Sequence, residues 1–338
     1  MNSLSPIEPA DWLAQQRAAR ISTGALLARL GLTPADFPHG VVDAPEFVLS
    51  VPPHFLSLIT PGNPRDPLLL QVLARGEEAL PQPDRLADPL AEADYRAAPG
   101  VLRKYRSRAL LIASGACAIH CRYCFRHHQD YGETMLTRAR EAEALAAIAA
   151  DPAIEEVILS GGDPLSLPDA RLAALVAALE GIAHLTTLRL HSRTLTTIPA
   201  RVTDALLALL GRTRLKLVIV IHSNHPRELS DGVAGALSRL GQAGVTLLNQ
   251  GVLLAGVNDD AATLAAHSRR LFACGVLPYY VHLMDKVAGA AHFDVDEARA
   301  RAIAAELRAL LPGYLVPRFV REVPGQDSKT PLAELPAS

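Results

Sequence analysis

The chain has 338 residues, 49% of them hydrophobic and 20% charged, a globular composition long enough for one large domain or two small ones. A formal net charge of −2 gives no general attraction to nucleic acid or anionic membrane, and no apolar run is long enough to span a bilayer, so neither is expected as a partner. The start reads Met1-Asn-Ser-Leu-Ser-Pro-Ile-Glu-Pro9, without the apolar stretch of a signal peptide, which sets a cytosolic, reducing compartment as the expectation.

Residues 1–100 read as an N-terminal helical region, with helices at Asp11 to Ile21, Gly24 to Leu30 and Pro67 to Leu73 joined by proline-rich connections. From Arg108 the pattern changes. Short runs rich in β-formers recur at Ala109 to Ala113, Glu156 to Ser160, Thr187 to His191, Leu215 to His222, Thr246 to Leu254 and Pro278 to Leu283. Helix-period segments lie between them at Arg140 to Ala150, Asp169 to Leu179, Val202 to Leu210, Gly232 to Ala243 and Ala261 to Cys274. Strands alternating with helices imply parallel βαβ units, and six are too few for an eight-fold barrel. The expected fold is α/β, a partial (β/α)6 TIM-like barrel over 101–290, followed by a C-terminal segment at 291–338. A doubly wound sheet stays open, because periodicity does not say whether a sheet curls. In a barrel the active site lies at the C-terminal ends of the strands, where the polar punctuation of this chain also falls.

Three of the four cysteines, Cys117, Cys121 and Cys124, fall in Ser114-Gly-Ala-Cys-Ala-Ile-His-Cys-Arg-Tyr-Cys-Phe-Arg126. A C-x3-C-x2-C loop offers three thiolates, enough for three corners of a [4Fe–4S] cubane whose fourth iron stays open to a ligand. Zinc with His120 as fourth ligand, or disulfides, are the alternatives, although structural zinc sites draw their ligands from two separated knuckles. Ser160-Gly-Gly-Asp-Pro-Leu165 ends the second strand. Its glycines allow close backbone approach and its carboxylate can accept from an ammonium, but Gly-Gly and Asp-Pro are also ordinary turn formers. Lys104-Tyr-Arg-Ser-Arg108 supplies cations suited to phosphate. Lysine itself is scarce: Lys and Arg total 33, yet the lysines are only Lys104, Lys216, Lys286 and Lys329. A retained lysine can form a Schiff base, which guanidinium cannot, and Lys329 sits among small and turn-forming residues in Pro324-Gly-Gln-Asp-Ser-Lys-Thr-Pro-Leu332.

The cysteine spacing, with Tyr123 before the last cysteine, is the signature of radical S-adenosylmethionine (SAM) enzymes. The stretches Tyr105 to Phe125, Leu159 to Leu165, Leu188 to Thr194, His222 to Pro226, Asn249 to Asp259, Leu277 to Phe293 and Ser328 to Pro331 occur in the order of one family. Over most of its length the chain resembles the lysine 2,3-aminomutases, radical SAM enzymes that also use pyridoxal 5′-phosphate (PLP), and among them the short bacterial branch that makes (R)-β-lysine for elongation factor P. The resemblance implies that Cys117, Cys121 and Cys124 ligate the cluster and that Tyr123 faces SAM. Gly161, Gly162 and Asp163 would hold the SAM methionyl group, helped by His222 and Gln250. Lys329 would carry PLP, Arg108 its phosphate and Arg126 the substrate carboxylate, with Asp285 and Glu322 at the substrate's far ammonium.

It implies partners as well: L-lysine, an electron donor such as flavodoxin or ferredoxin, and a ligase of the elongation factor P pathway. The chain departs from the family in three places. Gly325-Gln-Asp-Ser328 is a stiffer approach to the cofactor lysine, Glu322 is one methylene longer than the second acidic residue of the long enzymes, and Asp260 occupies the place of one zinc-ligand cysteine of those enzymes, which also carry a C-terminal zinc-binding extension. Glutamate aminomutation stays open through Lys286, beside Asp285, as do a radical SAM enzyme without PLP and a non-enzymatic iron–sulfur or zinc protein.

Overall fold

The computed structural model describes residues 11–334, and its spine is one ten-stranded sheet in which strand order follows chain order. The edge strands β1 (Arg96–Ala98) and β2 (Val101–Leu102) are antiparallel and lead into β3 (Arg108–Ser114). From there β4 (Glu156–Gly161), β5 (Thr187–Ser192), β6 (Lys216–His222), β7 (Thr246–Val252) and β8 (Leu277–His282) continue in parallel. β3 to β8 are the six expected strands. A seventh parallel strand, β9 (Arg318–Arg321), was not expected, and β10 (Thr330–Pro331) folds back on it. Arg318-Phe-Val-Arg321 is too short and too charged at its ends to stand out by periodicity. The sheet thus runs past residue 290 through the helix Glu297–Leu310.

The alternation in β5 explains how the barrel is built. Leu188 and Leu190 are fully buried, and period-2 geometry sends Arg189 and His191 to the opposite face. The leucine face packs with Leu159, Ile219 and the helix leucines Leu172, Leu175, Leu237 and Leu240 in one core, each burial contributing roughly 2 kcal/mol. The opposite face, where Ile158 stands beside Arg189 and Val220 beside His191, mixes apolar with polar side chains and lines the lumen.

Two observations show that the sheet curls. The start of β7 pairs with Val218, that of β8 with Leu248 and that of β9 with Tyr280, so successive strands begin further along their neighbours, the stagger of a barrel wall. Laid flat, β3 and β9 would stand about 29 Å apart at ~4.8 Å per strand. Yet Lys104, just before β3, reaches Glu322, just after β9, at 2.5 Å, and the Gly325 N–H donates to Tyr95 Oη at 2.7 Å. Side chains, not a ladder, bridge the open seam.

The N-terminal helices Trp12–Ala18, Thr23–Leu30, Pro53–Ser57 and Pro67–Leu70 support the cysteine loop. Their core of Leu26, Phe55, Leu68, Leu69 and Leu73 takes in Ile119 from that loop. Ser50 Oγ donates to the Ala118 carbonyl at 2.7 Å, and the Arg122 N–H to the Gln71 carbonyl at 2.9 Å. Among the described residues no helix is long and apolar enough to cross a membrane.

Candidate active site

The loop after β3 brings Cys117, Cys121 and Cys124 together as free thiols. Burial raises all three, Cys124 to about 12, and the neighbouring sulfurs add to the rise at Cys117 and Cys124. Without a metal they keep their protons at neutral pH; as thiolates they need positive charge beside them, which iron supplies. His120 is engaged through one ring nitrogen and through its ring face. Its Nδ1 lies 2.7 Å from the Val48 carbonyl oxygen, and its ring stacks on Phe47 at 4.5 Å. Among the described residues no three His, Cys, Asp or Glu side chains close around a single ion, whereas the corners of a cubane stand further apart. Three cysteines on one loop fit the cluster. Tyr123 is buried, its Oη 2.6 Å from Asn224 Nδ2 and 3.4 Å from Gln71 Oε1, within a network that also takes in Arg193 and Glu228.

The Gly-Gly-Asp turn at the end of β4 packs directly on that loop. A Cβ at Gly161 would lie 2.4 Å from the Ser114 carbonyl oxygen, and one at Gly162 2.4 Å from that of Ala116. Gly161 also has φ of +114°, a conformation that side chains rarely adopt. Gly162→Ala should therefore cost about 2 kcal/mol or more and lower iron content; denaturant unfolding and iron assay check both. Asp163 Oδ1 accepts from the Leu165 N–H at 2.9 Å, while Oδ2 accepts from Ser192 Oγ and the N–H groups of Arg193 and Thr194 at 3.0, 2.7 and 2.8 Å. Burial raises this carboxyl against the lowering by its bonds from Thr194, Leu165 and Ser192. Asp163 ties the turn to the end of β5.

The lumen holds a row of neutral imidazoles. His222 on β6 and Gln250 on β7 are register partners with Nε2 atoms 3.0 Å apart. Burial, then the cations Arg193 and Arg126, drives His222 down to about 3. His191 and His282 are likewise lowered by burial, and each has a buried Nε2 without a partner. Arg189 forms a two-point ion pair with Glu156. Arg126 forms another with Glu92 at 2.8 and 2.6 Å, while its Nη1 donates to Ser160 Oγ and the Gly161 carbonyl.

At the seam, Glu322 accepts from Lys329 and Lys104, both at 2.5 Å, and from the Tyr105 hydroxyl at 2.8 Å. Burial alone would raise this carboxyl, but the two ammoniums hold it at about 2. Lys104, the first cation of the basic pentapeptide, is thereby taken up by a carboxylate. Arg108 is different: its guanidinium lies over the Tyr105 ring at 4.0 Å, and among the described residues it makes no ion pair. Asp285, beyond β8, also lacks an ion-pair partner among them, and burial pushes it up to about 7 against the pull of Lys329. Lys286 turns away, two-thirds exposed and 3.2 Å from Asp84.

Glu92, Glu156, Arg189, His191 and His282 were not among the expected site residues, and Lys104 and Tyr105 entered only through the basic pentapeptide. Strict alternation in Thr187-Leu-Arg-Leu-His-Ser192 was the available signal, since an inward Arg and His on a barrel strand are unusual unless the lumen binds something polar.

Comparison with known proteins agrees with this geometry. Residues 111–265 match the model of the radical SAM superfamily. An L-lysine 2,3-aminomutase of Haemophilus influenzae is 46% identical, the match covering 97% of each chain. Another from Escherichia coli is 48% identical over 85% of this chain and 83% of its own. A third, from Clostridium subterminale, is 34% identical over 84% of this chain but 68% of its own. With thiols, barrel and collinear sequence in agreement, the chain belongs to the L-lysine 2,3-aminomutase family of radical SAM proteins.

Proposed function

We propose that the protein is an L-lysine 2,3-aminomutase that uses a [4Fe–4S] cluster, SAM and PLP to convert L-lysine to (R)-β-lysine. The observation that carries it is the pair of charges left unmatched at the seam: Arg108 for a phosphate and Asp285 for an ammonium, beside the lysine at 329. The names of the relatives support the same reaction.

When bound, the cluster and SAM supply the initiating radical, and PLP supplies the conjugated carrier for the migrating nitrogen. The chain binds, orients and encloses. Cys117, Cys121 and Cys124 hold the cluster; the turn at Gly161, Gly162 and Asp163, with His222 and Gln250, shapes the SAM side of the lumen. Lys329 anchors PLP and Arg108 takes its phosphate. Arg126 receives the α-carboxylate in competition with Glu92, and Asp285 the far ammonium, with Glu322 beside it. Two charged anchors at the ends of an aliphatic chain set which carbon faces the SAM side, which is how binding becomes orientation. Glutamate would need a cation where Asp285 stands.

We further propose that the protein works in the cytoplasm, takes electrons from a flavodoxin or ferredoxin, and hands its product to a ligase acting on elongation factor P. Anaerobic reconstitution with L-lysine, SAM, PLP and a reductant, followed by chromatography, tests the reaction: β-lysine is expected, and glutamate turnover equal to that of lysine would overturn the substrate. Borohydride reduction and peptide mapping should place a pyridoxyl group on Lys329. A label on Lys104, Lys216 or Lys286 instead would refute its role.

A further inference from the structure

Two of the chain's scarce lysines converge on one carboxylate from opposite edges of the sheet. Lys104 comes from the link between β2 and β3, whereas Glu322 and Lys329 frame the β9–β10 turn. Lys104 Nζ donates to Glu322 Oε1 at 2.5 Å and to the Val323 carbonyl at 2.9 Å, and it lies over the rings of Tyr95 and Tyr105. Lys329 Nζ meets the other oxygen, Oε2, at 2.5 Å, and the Tyr105 hydroxyl is shared between both oxygens. The intervening residues Pro324 to Ser328 are exposed; the turn is tied by the Gly325 N–H to Tyr95 Oη and by Thr330 pairing with Arg321, while the Lys329 amine itself meets Glu322.

We propose that Lys104 is a positioning residue for the Lys329 amine, acting through Glu322. The inference rests on the assignment of Lys329 as the cofactor lysine. While Lys329 is an ammonium, Glu322 stands between two cations. Once the Lys329 nitrogen is bonded to the cofactor carbonyl carbon, with the carbonyl oxygen leaving as water, its pairing with Glu322 is lost or weakened. Lys104 then keeps this carboxylate, only 10% exposed, charged and matched. Without Lys104, Glu322 loses the partner that fixes it at the seam, and the Lys329 amine it holds is no longer placed toward the carbonyl carbon. The same pairing makes Glu322 a carboxylate that two chain lysines have already neutralised, leaving Asp285 as the unmatched acid for a substrate ammonium.

The test is borohydride trapping of pyridoxyl on Lys329 at limiting PLP, read by peptide mapping of the full chain. Lys104→Met should reduce trapping by about tenfold, the factor that corresponds to ~1.4 kcal/mol, and Lys104→Arg, which keeps the charge, should restore most of it. Glu322→Gln should lose as much as Lys104→Met, and the double variant should be no worse than either alone, because both act through one contact. Unchanged trapping in Lys104→Met, additive losses in the double variant, or Lys104→Arg as poor as Lys104→Met would each overturn the proposal. Should Lys104→Met not fold, Glu322→Gln against Lys104→Arg carries the same comparison. If the unsubstituted protein is not labelled at Lys329 at all, it is the cofactor assignment that fails.

Discussion

Alanine at Cys117, Cys121 or Cys124 is expected to abolish SAM cleavage and remove most of the bound iron, while Cys274→Ala leaves both intact. Three loop thiolates leave a cubane one open iron, and the loop has no other thiol to replace a lost ligand. Cys274 caps the helix Ala261–Ala273 and is buried in the barrel core, remote in role from the loop. Iron and sulfide analysis, the electron paramagnetic resonance of the reduced cluster and release of 5′-deoxyadenosine check the three variants. Full SAM cleavage by any of them would end the assignment of the loop.

Asp285→Asn is expected to raise the half-saturating lysine concentration by roughly 100-fold or more, since removing one partner of a buried ion pair leaves the other charge uncompensated. Cluster content and labelling at Lys329 should not change. The pH dependence gives a second signature. Burial raises Asp285 to about 7, so below that pH the carboxyl is neutral and cannot pair with an ammonium. Lysine should bind more tightly as the pH rises through about 7. Because an amide does not titrate, the asparagine variant should lose that dependence. A variant that kept it would assign the titration to another group.

Much of the fold was legible because alternation and helix period are local. Thr187 to Ser192 announces a strand, its leucines announce a covered outer face, and the six expected strands were all found as β3 to β8. β9 escaped because four residues carry no period, and it became a strand through pairing with β8. The cysteine loop was legible too, since three ligands within eight residues need no long-range folding to meet.

What local sequence by itself determined, then, is chemistry carried by neighbours in the chain: three thiols on a loop, glycines at a turn, a lysine in a short segment. Only the tertiary structure decided which charges are already matched. Asp163, expected to accept from an ammonium, is taken up by four hydrogen bonds from the turn and from the end of β5. Lys104 looked like a phosphate contact and holds Glu322 from 218 residues away in the chain. Arg126 is met by Glu92, and Asp285 is left without a partner among the described residues. Ion pairing depends on distances of a few ångströms between segments that only the curling of the sheet brings together, so no pattern along the chain could have sorted the occupied charges from the available ones.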